Sequence, residues 1–147
     1  MRQIDTKFAW YDAWILLAIL YNHERGPSSL QDILATADAI NHAIPTRAEL
    51  NDALNRLLAA GYIVEHEGNF AVTEAASAGY SKVTKPRTSM LAELERMENL
   101  LADHAPLASV PWQVNITPSS LDAAYSAYDK AFWEEYRKLW ESTAVTE

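Results

Sequence analysis

The sequence predicts a mainly α-helical protein with a small β unit of two or three strands near its middle. Apolar residues recur at intervals of three and four over most of the chain, as they do on one face of a helix. Between residues 61 and 73 this pattern gives way to two short β-prone runs, separated by a Glu67-Gly68-Asn69 turn. With 147 residues, 49% of them hydrophobic, the chain is long enough to bury a core.

Two helices are predicted before residue 45. The first covers about Phe8 to Asn22 and is apolar on most sides, which predicts a buried helix. The second follows an N-cap at Ser28 or Ser29 and ends near Ile40. Residues 41–45 then break the helical pattern and end in a proline, which cannot continue a helix.

A third helix is predicted from Thr46 to Gly61. Thr46 and Glu49 have the spacing of a capping box, in which each side chain accepts a hydrogen bond from the other residue's backbone N–H. Gly61 stands where a left-handed C-terminal cap is needed. The core face of this third helix consists of Leu50, Leu54, Leu57 and Leu58. The β-hairpin follows, and a short fourth helix is predicted from Thr73 to about Gly79.

The remaining chain predicts two more helices. Residues 82–88 form a basic hinge, Ser89 caps a helix that reaches about His104, and a proline-containing loop over 105–116 leads to a last helix at Thr117-Pro118. Glu93, Glu95 and Glu98 are expected on a solvated face of the first of these helices. The sequence therefore predicts a first domain over residues 1–81, which contains the hairpin, a hinge over 82–88, and a C-terminal helical dimerisation or packing region over 89–147.

The stretch from Leu50 to Val64, followed by Phe70 to Glu74, resembles the winged helix-turn-helix of PadR-like and MarR-like transcriptional regulators. In those families a leucine-faced recognition helix ends at a glycine, enters the β wing, and is followed by a strand ending in threonine. The resemblance covers about half of the chain. It implies a cytoplasmic bacterial regulator that binds double-stranded DNA as a homodimer.

The resemblance further implies that the third helix lies in the major groove, with base contacts on the side opposite its leucines. Arg47 suits guanine, and Asn51 or Asn55 suits adenine. The basic hinge would contact phosphates. The predicted DNA-contacting residues are Thr46, Arg47, Asn51, Asn55, Arg56, Lys82, Lys85 and Arg87. A solvated helix face and a plain hydrophilic hinge would produce the same residue pattern.

Charge supports a competing interpretation. The net charge is −8, and nonspecific DNA affinity depends on lysines and arginines meeting phosphates. Most of the excess acidity lies beyond residue 88, but the predicted wing is itself acidic, with Glu65 and Glu67 flanking His66. Asp52, on the predicted groove face, would also repel phosphate. The alternative function is therefore a winged-helix protein–protein interaction module that does not bind DNA.

The two C-terminal helices carry apolar stripes that need a surface to pack on. One interpretation is a twofold dimer interface that spaces two recognition helices about 34 Å apart. The dimerisation residues predicted on this basis are Met90, Leu94, Met97, Leu101, Tyr125, Tyr128, Phe132 and Tyr136. In the other interpretation these helices fold back on the first helix. A small-molecule pocket formed by Trp112, Trp133 and Trp140 is a third, weaker possibility, and no effector is indicated.

No catalytic, cofactor or metal site is predicted. The chain has no cysteine, its four histidines lack the close helical spacing of a zinc site, and its four glycines form no phosphate-binding loop. The longest apolar run, Ala13 to Tyr21, is shorter than a membrane-spanning helix, and no signal peptide precedes it. These features predict a cytoplasmic protein that is not an enzyme.

Overall fold

A computed structural model describes residues 3–144 of the chain. The outer bounds of the first and last predicted regions, residues 1 and 147, lie outside the described residues. The described part contains α1 (Trp10–Tyr21), α2 (Leu30–Asn41), α3 (Arg47–Ala59), β1 (Ile63–His66), β2 (Asn69–Val72), α4 (Glu74–Val83), α5 (Met90–Ala102) and α6 (Pro118–Ala144), with a short 3₁₀ turn at His23–Arg25. This confirms the mainly helical fold class with a small sheet and C-terminal helices. None of the described helices combines the length and apolarity that crossing a bilayer requires.

The predicted helix boundaries correspond to local hydrogen bonds. The Ser29 hydroxyl oxygen accepts a hydrogen bond from the Asp32 backbone N–H at 3.1 Å and so begins α2. At α3 the Thr46 hydroxyl accepts from the Glu49 N–H at 3.1 Å, and the Glu49 carboxylate accepts from the Thr46 N–H at 2.9 Å. The predicted capping box is therefore confirmed. Gly61 follows α3 with φ of 76°, a conformation that favours glycine.

The two strands form an antiparallel hairpin in which Ile63 pairs with Val72 and His66 with Asn69. One face of the hairpin buries Ile63, Phe70 and Val72 against the helices. Ser28, just before α2, exchanges two backbone hydrogen bonds with Phe70, at 2.7 and 2.8 Å. A single-residue bridge therefore ties the start of α2 to the hairpin in place of a full third strand.

Helix α1 is the centre of the core, because α2, α3 and α5 all pack against it. All residues from Asp12 to Ile19 are buried, as expected for a helix surrounded on most sides. The Trp14 indole N–H donates to the Ala37 carbonyl of α2 at 2.9 Å, which satisfies its one polar atom inside the core.

One face of helix α5 completes this core, while Met90 in its first turn is 43% exposed. Leu94, Met97 and Leu101 are each at most 6% exposed and pack in the same cluster as α1. Their assignment to a dimer interface is therefore wrong, because a side chain already enclosed by its own chain offers no surface to another. The first part of the C-terminal region is thus part of the core of the preceding helices.

Helix α6 has two different halves. Leu121 and Ala124 pack against the core, α6 lies on α2, and the Tyr128 hydroxyl donates to the Asp38 carboxylate of α2 at 2.6 Å. From Phe132 to Ser142 every side chain is exposed. About half of this 27-residue helix therefore extends beyond the body of the protein.

Candidate functional site

The outer face of α3, where DNA contacts were predicted, is covered by an extended segment that precedes α6. This segment, residues 112–116, is called the strap. The Asn51 side chain binds its final residue: the carboxamide oxygen accepts from the Ile116 N–H at 2.6 Å, and the carboxamide nitrogen donates to the Ile116 carbonyl at 3.2 Å. One asparagine thus satisfies both backbone polar groups of one strap residue.

Asn55 lies one helical turn further along α3 and holds the preceding part of the strap. Its carboxamide oxygen accepts from the N–H groups of Gln113 and Val114, at 2.8 and 2.9 Å. Its nitrogen donates to the Val114 carbonyl at 2.9 Å. Asn55 has no exposed surface at all. The two asparagines therefore act together as a clamp on the strap backbone.

The assignment of Asn51 and Asn55 as base-reading residues is accordingly wrong for this conformation of the chain. An asparagine carboxamide can pair with a peptide unit as well as with an adenine edge, because both offer a donor and an acceptor side by side. Here the strap uses both groups. The two contacts join residues that lie 59 and 65 positions apart in the sequence, so no local pattern in α3 could have indicated them.

Arg56 is also buried rather than available to phosphate, so its predicted DNA contact is wrong as well. Its guanidinium donates to both oxygens of the Asp12 carboxylate, at 2.7 and 3.0 Å, and both side chains are almost fully enclosed. Burial alone would lower the pKa of Arg56, but the hydrogen bond and charge of Asp12 outweigh it and raise that pKa. The pair fixes α3 against α1.

The part of α3 that remains exposed is its first turn. Thr46 serves as the helix cap, while Arg47 and Ala48 are exposed to solvent. In the neighbouring hairpin, Glu65, His66 and Glu67 are exposed. The Glu65 carboxylate accepts from the Gly68 N–H at 2.8 Å and so stabilises the turn. The exposed hairpin surface is therefore acidic, as the sequence predicted.

A basic cleft lies on another part of the surface, between the end of α4 and α5. It has a volume of about 380 Å³, and its lining includes Lys82, Lys85 and Arg96. Arg87, the other predicted phosphate contact, is exposed in the same hinge. Sequence reasoning missed Arg96 because it lies on the next helix. The predicted basic hinge is thus joined by a cation from α5, although Asp103 also borders the cleft.

Glu93 on α5 departs from its predicted solvated position. It is 5% exposed, and its carboxylate accepts hydrogen bonds from the hydroxyls of Tyr21, Tyr80 and Thr84. Burial would raise the pKa of Glu93, but hydrogen bonds from these three hydroxyls lower it below the ordinary glutamate value. One carboxylate therefore links α1, α4 and α5.

The second candidate site is the exposed half of α6. Phe132, Trp133, Tyr136, Leu139 and Trp140 lie there, each between 46% and 67% exposed, and are called the aromatic face. Three successive ring pairs connect Phe132 to Trp140, with centroids 5.4 to 6.3 Å apart. Trp112, which was considered together with Trp133 and Trp140, lies in the strap instead. An exposed apolar surface of this extent is typical of an interaction site.

Among the described residues, no group of three or more His, Asp or Glu side chains is arranged to hold a metal ion. No protein-family model, no curated protein and no solved structure matches this chain.

Proposed function

We propose that this chain is a winged-helix protein-interaction module whose α3 does not read DNA bases while the strap is in place. The observation that carries the proposal is the clamp formed by Asn51 and Asn55. The polar face that a recognition helix would direct toward a major groove is occupied by the chain's own backbone. Only the first turn, with Arg47, is left for an external contact.

Electrostatics support the same proposal. The hairpin next to α3 exposes Glu65 and Glu67, and the whole chain carries a net charge of −8. A phosphate backbone approaching this side would meet like charge, since DNA affinity depends on cations that release its counterions. A protein partner that presents lysine or arginine to the hairpin would meet opposite charge.

A dimeric DNA-binding transcriptional regulator is the second candidate, and the basic cleft favours it. Lys82, Lys85, Arg87 and Arg96 bring four cations to one region of an otherwise acidic protein. They could contact phosphates, while base reading by α3 would require the strap to detach. Both candidates place the protein in the cytoplasm and assign it no catalytic reaction and no cofactor.

A DNA titration separates the two candidates. The full-length protein is titrated with random-sequence duplex DNA at low and at moderate salt, and binding is followed by fluorescence anisotropy. We expect no salt-sensitive binding, because the clamp and the acidic hairpin disfavour it. Salt-sensitive micromolar binding that Arg47→Ala weakens would instead support the regulator and overturn the proposal.

Two variants locate any binding that is found. Lys82→Glu combined with Lys85→Glu removes the basic cleft and leaves α3 unchanged. Asn51→Ala combined with Asn55→Ala loosens the strap and leaves the cleft unchanged. Binding that only the first variant abolishes would come from phosphate contacts at the cleft. Binding that appears only in the second would show that α3 contacts DNA once the strap is released.

A further inference from the structure

The apolar stripe of α6 is continuous from the part that packs on α2 to the part that is exposed. It follows an 11-residue repeat, in which Leu121 and Phe132, Tyr125 and Tyr136, and Tyr128 and Leu139 occupy equivalent positions. Such a repeat has about 3.67 residues per turn, so the stripe stays on one side of a straight helix. Phe132 and Leu139 therefore lie on the side of α6 that packs against α2, whereas Tyr136, like the exposed Tyr125, lies at the edge of that side and the two tryptophans lie beyond it.

The spacing within the aromatic face is symmetric about Tyr136. Phe132 and Trp133 lie four and three residues before it, and Leu139 and Trp140 lie three and four residues after it. A helix reversed end to end about Tyr136 therefore presents apolar side chains at the same levels. This is the self-complementarity that a twofold axis requires, since both partners then use the same patch.

We propose that the aromatic face binds a second copy of this chain, with the two α6 helices antiparallel and a twofold axis near Tyr136. In this arrangement Phe132 of one helix lies level with Trp140 of the other, and Trp133 lies level with Leu139. The proposal does not depend on whether α3 contacts protein or DNA. Of the predicted dimerisation residues it keeps Phe132 and Tyr136 on α6 and leaves out those on α5.

The position of the body favours the antiparallel arrangement. Leu121, Ala124 and Tyr128 place the body of each protomer on the stripe side of the first half of α6. In a parallel pair both bodies would lie at the same end of the interface. In an antiparallel pair the bodies lie at opposite ends, and only the exposed halves meet.

The available area is consistent with a dimer. Four large aromatic side chains and a leucine, each about half exposed or more, offer on the order of 500 Å² of apolar surface per chain, given about 150–250 Å² for each ring side chain. Two such faces with the polar atoms beside them approach the lower limit of about 1,200 Å² for a stable interface.

The polar side of the exposed half gives less support to a lipid surface. Between residues 130 and 142 it carries Lys130, Glu134, Glu135, Arg137, Lys138 and Glu141. Acidic and basic residues are equal in number here, whereas helices that bind anionic membranes carry mainly lysine and arginine on the polar side. Glu135 and Lys138 already pair with each other at 3.5 Å on this side.

The first test is the mass of the full-length chain in solution. Sedimentation velocity over a wide range of concentrations should show a dimer, and Tyr136→Lys should convert it to a monomer, because two lysines would meet at the axis. Lys130→Ala, on the polar side, is the matched control and should leave the dimer intact. A wild-type chain that is monomeric throughout overturns the proposal, and binding of that monomer to phosphatidylcholine–phosphatidylglycerol vesicles would assign the face to lipid.

Cross-linking tests the orientation, and the absence of cysteine from the wild-type chain makes each introduced thiol unique. Tyr136→Cys should form a disulfide between two copies. Phe132→Cys should not link to itself, because two such residues in an antiparallel pair are about 12 Å apart along the helix axis. It should link to Trp140→Cys when the two variants are mixed. Self-linking of Phe132→Cys as readily as Tyr136→Cys, or linking of the control Glu134→Cys, would overturn the arrangement.

Discussion

Helix α3 buries polar side chains, whereas the second half of α6 exposes large apolar ones. On α3 the buried groups include Asn51, Asn55 and Arg56, each at most 2% exposed. On α6 the exposed groups include Trp133 and Trp140, each more than half exposed. From polarity alone, these side chains of α3 would be expected at the surface and these side chains of α6 in the core.

The difference teaches what each kind of side chain needs. A buried polar group is stable when all its hydrogen bonds are made, which the strap and Asp12 provide on α3. An exposed apolar group costs free energy until another surface covers it, and the second half of α6 extends beyond the body that the described residues form. Asn51, Asn55 and Arg56 of α3 are therefore partnered within the chain, whereas the large apolar side chains at the end of α6 stay exposed.

Among the buried polar contacts of α3, the largest effect on stability is expected from removing the guanidinium of Arg56. We expect Arg56→Ala to lower the free energy of unfolding by about 3–5 kcal/mol, because the Asp12 carboxylate would remain buried without its cation. Urea denaturation measures the change. Arg47→Ala, on the exposed first turn of the same helix, is the control and should change it by less than about 0.5 kcal/mol. Equal effects of the two substitutions would contradict the buried ion pair.

Weakening the clamp should have a smaller effect. Asn55→Ala removes the partner of both polar groups of Val114, and we expect a loss of about 1–3 kcal/mol in the free energy of unfolding. Hydrogen exchange of the Val114 amide should become faster. The Ile116 amide, which Asn51 holds, should keep more of its protection. Unchanged exchange at Val114 would mean that the strap does not depend on Asn55.

The buried carboxylate of Glu93 should make a contribution to stability that depends on pH. Its pKa is lowered in the folded chain, so its charged form adds stability above the ordinary pKa of an unfolded glutamate. That contribution is lost as the pH falls through the lowered value. We expect Glu93→Gln to cost about 1–2 kcal/mol near neutral pH.

The cost of Glu93→Gln should shrink as the solution is acidified below the ordinary glutamate pKa, which denaturation at several pH values would follow. Glu95→Gln, on an exposed position of α5, is the control and should have little effect at any pH. A difference between wild type and Glu93→Gln that stays constant into acid would contradict a charged Glu93 in the folded chain.

The smallest change in stability is expected for substitutions in the exposed half of α6. Phe132→Ala should alter the free energy of unfolding by less than about 0.5 kcal/mol at concentrations where the chain is monomeric, since the ring is half exposed there. Glu134→Ala serves as the control with a similarly small effect. Only Phe132→Ala should weaken self-association. A large loss of monomer stability in Phe132→Ala would show that the ring packs within its own chain.

The sequence predicted the parts of the fold that depend on neighbouring residues. The capping box of Thr46 and Glu49, the cap at Gly61 and the leucine face of α3 are local, because each is set by residues within a few turns of one another. The short hairpin followed from the change of apolar period after Gly61.

The candidate site was less predictable, because its contacts are distant in sequence. Asn51 and Asn55 look solvated on a helical wheel, and only the strap, about sixty residues later, makes them buried. Helix α5 and the end of α6 carry similar apolar stripes. Periodicity shows that each of these helices needs a surface to pack on. It does not show that Met97 is buried in the core around α1 while Phe132 stays exposed, because that depends on the tertiary arrangement.

The strap also has a consequence for how freely this sequence can change during evolution. Asn51 and Asn55 bind only backbone atoms of the strap, so they do not recognise which side chains it carries. Gln113 and Asn115, whose side chains are exposed, are therefore free to drift, while the two asparagines are not. Homologous chains should keep this asparagine pair one helical turn apart even where the covering segment has diverged beyond alignment.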